Sequence, residues 1–205
     1  MSAQEHDGSG ISLLGAEMLT WSDLDGESGG FGGLLAPFLL DGAARSGSAL
    51  VAGPATPAVV AAVAARFERT EVLVRSFPDA EALRSALPAQ VAVSCGPLDR
   101  LARGGRTFDA VMAIDPGRLH TAEEDTPAPA RVLADLAALV ADGGDLFLGV
   151  GNAVGVDRLL SLAVSSSNHD ADWPDGRVAH AAALDAPASV AALAGHGLAL
   201  VESWH

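Results

Sequence analysis

The sequence contains no lysine and no tyrosine, and only 4% of its residues are aromatic. It has a single cysteine, Cys95. One thiol excludes an intrachain disulfide and a cysteine-rich metal site. Its place in the apolar run VAVSC suggests a buried, inert thiol rather than a nucleophile. Positive charge is scarce: 12 basic residues, all arginine, stand against 26 acidic ones, a net charge of −14. Such a surface repels phosphate backbones and anionic lipid, so neither nucleic acid nor a membrane is expected as a partner, and the acidity serves solubility. No apolar run approaches the roughly 20 residues of a membrane span. The opening MSAQEHDGSG is acidic and polar, unlike a signal peptide, and a cytoplasmic location is expected. The alanine-rich, arginine-only composition fits a GC-rich bacterial genome.

What is present is a regular alternation. A chain of 205 residues that is 49% hydrophobic can build one sizeable core. Residues 1–10 look disordered and 11–33 flexible, followed by a short helix over 34–44. We therefore place an N-terminal tail and helical segment at 1–47 and the main domain at 48–205. From Ser48 onward, short valine-rich runs (49–53, 71–75, 90–95, 108–114 and 145–150) alternate with helical stretches. Strands buried on both faces of a parallel sheet have this appearance. In ALVAGPATPAVVAAVAARF, Thr56 is an N-cap with Pro57 at the first helical position, and Val59, Val60, Val63 and Phe67 share one face. Asp79 is expected to cap EALRSAL. RVLADLAALVADGG reads as a helix stopped at Gly143 and Gly144. Further helices are expected at 155–164 and over PASVAALAGHG, with a polar loop or flap between them and a sixth strand at 198–204. The cluster NHDADWPD (His169, Asp170, Asp172, Asp175) lacks the spacing and central glycine of a calcium loop and is read as solvated, with no metal site. Trp173 within it is a lid residue or a partner anchor, and AEEDTP at 122–127 reads as acidic charge at a helix N-terminus.

This order of elements resembles the class I S-adenosylmethionine-dependent methyltransferases from about Ser48 to the end. FDAVMAIDPGRLH resembles that family's fourth strand and following loop. RVLADLAALVADGGDLFLGVGN resembles its helix, turn and fifth strand, with Asp142 where proline is usual, and VAALAGHGLALVESW resembles its ending. The resemblance implies a Rossmann-like, doubly wound, mostly parallel α/β sheet. The sequence stops after the expected sixth strand, so either the sheet lacks the family's final antiparallel strand, or this chain is a piece of a longer protein, or a partner supplies the strand.

The cofactor motifs depart from the family. Its first strand ends in an acid followed by G-x-G-x-G. Here Val51 stands for the acid, and Gly53, Ala55 and Pro57 stand for the three glycines; Pro54 also removes a donor. The second strand should end in a carboxylate that accepts from both ribose hydroxyls, but Arg75 only donates. Asp79, four residues after Arg75, is a weak candidate to take over that ribose contact; Pro97 takes the place of the acid that meets the adenine amino group, with Asp99, two residues on, as a weak substitute. Three missing contacts of roughly 1.5–3 kcal/mol each predict weak or absent S-adenosylmethionine binding. Asp115 is either a contact to the cofactor's amino group or substrate, or a turn residue. His120 is a general base or a loop histidine, and Asn152 a cleft residue or a helix cap. These positions suggest a non-catalytic, pseudoenzyme-like domain that binds a partner. The alternatives are an active divergent methyltransferase on a small metabolite, or a domain holding another anionic ligand through Arg75 and the helix start at Thr56.

Overall fold

The valine-rich runs become the strands of one sheet. The computed structural model describes residues 5–6, 10–24, 47–114, 116, 119–121, 128–149 and 186–203. Its strands are β1 (Glu5–His6), β2 (Ile11–Leu13), β3 (Ser48–Ala52), β4 (Arg69–Val74), β5 (Val91–Cys95), β6 (Phe108–Ile114) and β7 (Val140–Gly149). The helices are α1 (Pro57–Ala64), α2 (Phe77–Ala86), α3 (Leu98–Arg103), α4 (Pro129–Ala138) and α5 (Ala186–Ala194). Sheet order is β1-β2-β5-β4-β3-β6-β7. The β1–β2 pair is antiparallel and all other pairs are parallel. The run β5-β4-β3-β6-β7 is the order of a Rossmann-like doubly wound fold, whose strand order reverses between β3 and β6.

Alternation along the central strands divides the core in two. Val51, Val72, Val74, Val91, Val93 and Met112 pack beneath α1 and α2 with Val59, Val60, Val63, Ala80 and Leu83. Leu50, Ala52, Leu73, Val111 and Ala113 face the other way, onto Leu98, Leu101, Val132, Leu136 and Leu139. The period of two is hidden in the sequence because both faces are covered.

Thr56 caps α1 as expected, its side chain accepting from the Val59 amide, with Pro57 in the first turn. For α2 the expectation is corrected: Ser76 is the N-cap, and Asp79 lies inside the first turn. The helix starts earlier because the Ser76 hydroxyl accepts from the Asp79 amide. Gly143 and Gly144 do not close α4, which ends at Ala138. They lie within β7, where the register with β6 shifts between Phe108 and Ala110. A Cβ at Gly144 would come within 2.8 Å of the Asp109 carbonyl, so the irregularity needs glycine there.

Two further expectations differ. Residues 11–13, read as part of a flexible lead-in, form β2, which pairs in parallel with β5 through Ile11↔Val93 to Leu13↔Cys95. Strands β1 and β2, on the near side of the expected boundary at 47/48, therefore belong to the same sheet as the strands beyond it. The run at 198–203, expected as a sixth strand, has no strand pairing, and Val201 is 93% exposed. Among the described residues no strand lies outside β7, and no helix is long and apolar enough to cross a membrane. The expected helices at 34–44 and 155–164 and most of the polar loop at 165–186 fall outside the described residues.

Candidate functional site

In open parallel sheets, ligands bind beyond the carboxyl ends of the strands, at the point where the order reverses. Here that end is formed by Gly53 after β3, Arg75 after β4, Gly96 and Pro97 after β5, and residues 119–121 following β6. Gly53 has φ 109° and donates its amide to the Leu73 carbonyl at 2.9 Å. A positive φ of this kind favours glycine, so the one glycine kept in the turn has a backbone reason. Ala55, at the second glycine position, is buried and packs with Val59 and Val60. Its methyl group belongs to the core beneath α1.

Arg75 is 3% exposed. Its Nε donates to Asp23 Oδ2 and its Nη2 to Asp23 Oδ1, both at 2.7 Å. Nη1 donates to the His120 carbonyl at 3.0 Å. The indole of Trp21 lies 5.9 Å from the guanidinium and donates to Asp23 Oδ1 at 2.9 Å. A buried guanidinium needs a carboxylate, and bidentate pairing is the geometry that matches its fork. The anion comes from the chain itself, from a position 52 residues upstream.

Asp23 arrives on a strap, residues 14–24, that continues from β2 across the carboxyl ends of β5 and β4. The Leu14 amide donates to the Cys95 carbonyl, and Leu14 covers Gly96 so closely that a Cβ there would meet its own at 2.7 Å. Met18 forms a parallel bridge with Ser76: its amide donates to the Arg75 carbonyl, and its carbonyl accepts from the Phe77 amide. The Ser76 hydroxyl donates to the Trp21 carbonyl. Asp79 accepts from the Ser22 hydroxyl and, at 2.8 Å, from the Asp23 amide. Burial raises its pKa above the ordinary carboxylate value, and the Ser22 bond opposes this.

Pro97 is buried at the N-cap of α3, and Asp99, in that helix's first turn, pairs with Arg103. The loop after β6 closes over the same end. The Leu119 carbonyl accepts from the Leu98 amide, and His120 is 4% exposed. Burial depresses the His120 pKa, the charge of Arg75 adds to the effect, and Asp23 opposes it. Among the described residues, His120 Nε2 and Thr121 Oγ1 are buried without a hydrogen-bond partner. Cys95, at the end of β5, has its thiol pKa pushed up to about 12, chiefly by burial, and is inert as a nucleophile.

The structure thus gathers Arg75, His120 and Asp79 into one cluster and assigns Ala55 and Pro97 to packing and helix entry. Asp115, Asn152 and the run from His169 to Asp175, with Trp173, lie outside the described residues. Among the described residues no group of three or more His, Cys, Asp or Glu is placed to hold a metal. A nucleoside would need an acceptor at the end of β4 and open space beyond β5. A closed ion pair stands at the first place, and Leu14 lies on Gly96 at the second, so these residues do not fit S-adenosylmethionine. Sequence reading missed Trp21, Ser22 and Asp23. The one available signal was Arg75 itself: an arginine at the end of a buried strand requires an acid from elsewhere, but nothing in the spacing says which.

No protein-family model matches the chain, and no curated protein matches it. Among solved structures that match is S-adenosylmethionine-bound CalS10, an amino pentose methyltransferase from Micromonospora echinaspora involved in calicheamicin biosynthesis. That match has 25% identity and a TM-score of 0.38, and it covers 53% of this chain and 43% of the other.

Proposed function

We propose that the chain is a methyltransferase-like α/β domain that does not carry out methyl transfer and acts as a binding or partner domain. The observation that carries this reading is the buried Arg75–Asp23 pair at the end of β4. The position where the family's ribose-clamping carboxylate would stand carries a cation, and that cation is already neutralised from within. The strap over Gly96 supports the same reading at the adenine position, and the strand order supports the resemblance stated from the sequence.

Calorimetric titration with S-adenosylmethionine and S-adenosylhomocysteine tests it. No heat is expected up to millimolar ligand, and a dissociation constant below about 100 μM would overturn the reading. Light scattering, with and without co-expressed neighbouring proteins, tests the partner half; a strict monomer that captures nothing counts against it. The second reading, a divergent methyltransferase acting on a small metabolite, is favoured by one observation. Buried His120 has its ring Nε2 without a hydrogen-bond partner among the described residues, an imidazole nitrogen that the fold does not use. Methyl transfer to a candidate acceptor, lost in His120→Gln, would establish it.

A further inference from the structure

We infer that the crevice at the end of β4 is a binding site for a small aromatic carboxylate, which the chain's own Trp21 and Asp23 occupy when no ligand is present. The juxtaposition that carries this is a guanidinium held in two arms by a carboxylate, with an aromatic ring beside both. Both oxygens of Asp23 receive bonds from Arg75, the Trp21 indole bonds one of them, and its ring faces the guanidinium. A ring and a carboxylate presented together to an arginine form the recognition set of an aromatic acid. The place is right for a ligand, since Arg75 sits beyond the carboxyl end of a central strand beside the reversal of strand order.

Two further observations separate this arrangement from an ordinary structural ion pair. The strap has no helix and no strand of its own between Leu14 and Leu24, only the single bridge at Met18, and Leu19 within it is 69% exposed. Such a segment leaves more easily than the strands beneath it. In addition, polar atoms of the residues next to the pair stay unsatisfied. His120, whose carbonyl takes the third Arg75 bond, keeps its ring Nε2 buried without a hydrogen-bond partner among the described residues, and the adjacent Thr121 hydroxyl is in the same state. Buried polar atoms are rarely left so, and a polar substituent on a bound ring would give them what the strap does not.

The inference rests on the reading that this is not an adenosyl site, and a different ligand tests it. Because the tethered carboxylate competes at an effective concentration on the order of millimolar, a free acid binds wild-type protein only in the millimolar range. The experiment titrates the full chain with benzoate and with indole-3-acetate by calorimetry, using benzamide as the uncharged control. Amide hydrogen exchange is followed at Met18 and Asp23, whose amides are bonded to Arg75 and Asp79. The expected result is saturable binding of both acids, none of benzamide, and faster exchange at Met18 and Asp23 when bound. Asp23→Asn should tighten binding about tenfold or more by removing the competing charge, and Arg75→Gln should abolish it. Absence of saturation by roughly 50 mM, binding that leaves exchange at Met18 and Asp23 unchanged, or an equal response to benzamide overturns the inference. Should either variant fail to fold, the wild-type titration and exchange still decide. S-Adenosylhomocysteine in the same instrument tests the earlier reading separately.

Discussion

Asp23 and Arg75 are each nearly fully buried, so removing either charge alone breaks a buried bidentate pair. Arg75→Gln and Asp23→Asn are each expected to lower stability by about 3–5 kcal/mol in denaturant unfolding. The double replacement Asp23→Leu with Arg75→Met should recover much of that loss, because the desolvation of both ions goes with them. A double-mutant cycle reads the difference. His120 gives a prediction with a definite sign. Its pKa is lowered from 6.5 by burial and by Arg75, with Asp23 opposing, so the unfolded chain takes up the proton first as pH falls. The stability that His120 contributes is full above about 6.5 and is lost as pH drops from there through its depressed folded value. Asp79 acts in the opposite sense. Its folded pKa is raised from 3.8 by burial, so its contribution is full below that value and is lost as pH rises through the raised one. Comparing wild type with His120→Gln isolates the histidine: the variant should show a flatter stability profile below pH 6.5. An unchanged slope would mean that His120 is not buried as described. The sequence marks Arg75 as a poor ribose clamp, because a guanidinium only donates. It could not show the partner, because the bond joins residues 52 apart through a segment with no periodic pattern.

Among the elements, the strap and the turn after β5 depend on one another. Gly96 has φ +138°, and a Cβ on it would meet Leu14 Cβ at 2.7 Å and the Gly15 carbonyl at 3.2 Å. Gly96→Ala should therefore lift Leu14 from β5 and cost roughly 1–3 kcal/mol. Gly105→Ala is the control. That glycine also has positive φ, +68°, but nothing lies within 4 Å of the added carbon. It should cost only the backbone term, about 1–2 kcal/mol, and leave hydrogen exchange at Leu14 and Met18 unaltered. Equal effects of the two substitutions on that exchange would show that the strap does not bear on Gly96. The same contrast explains what could be read in advance. Strands β3 to β6 were legible because burial on both faces leaves continuous valine-rich runs. The glycine pair at 143–144 was misread as a helix stop because its signal is identical to that of a bulge; only the Asp109 carbonyl across the sheet decides between them. Ile11–Leu13 is too short for any periodicity to register, so β2 was invisible.

At the scale of the whole molecule, the sheet gains its sixth parallel strand from the wrong end of the chain as the sequence had it. LALVESW has the composition of a strand, but composition supplies no partner. Residues 198–203 run unpaired with Leu200 and Val201 61% and 93% exposed, while Ile11, from a segment that looked flexible, is 1% exposed against β5. A strand of three residues also brings the strap, and with it the only carboxylate found on Arg75 among the described residues. The two ends of the chain should therefore tolerate truncation very differently. Shortening the C-terminus to Gly197 removes described residues that bury little, and the unfolding midpoint should move by no more than about 1 kcal/mol equivalent. Removing residues 1–24 uncovers the β5 edge, leaves Arg75 buried or half-buried without its acid, and strips Asp79 of the Ser22 and Asp23 donors. Losing the buried pair alone accounts for about 3–5 kcal/mol, a large share of the 5–15 kcal/mol by which most domains are stable. The truncated chain should be recovered aggregated or unfolded, which circular dichroism and size-exclusion chromatography read directly. A folded, monomeric product of residues 25–205 with an unchanged unfolding midpoint would instead show that the N-terminal strand and strap are an appendage, and that the domain begins near Ser48 as its sequence suggests.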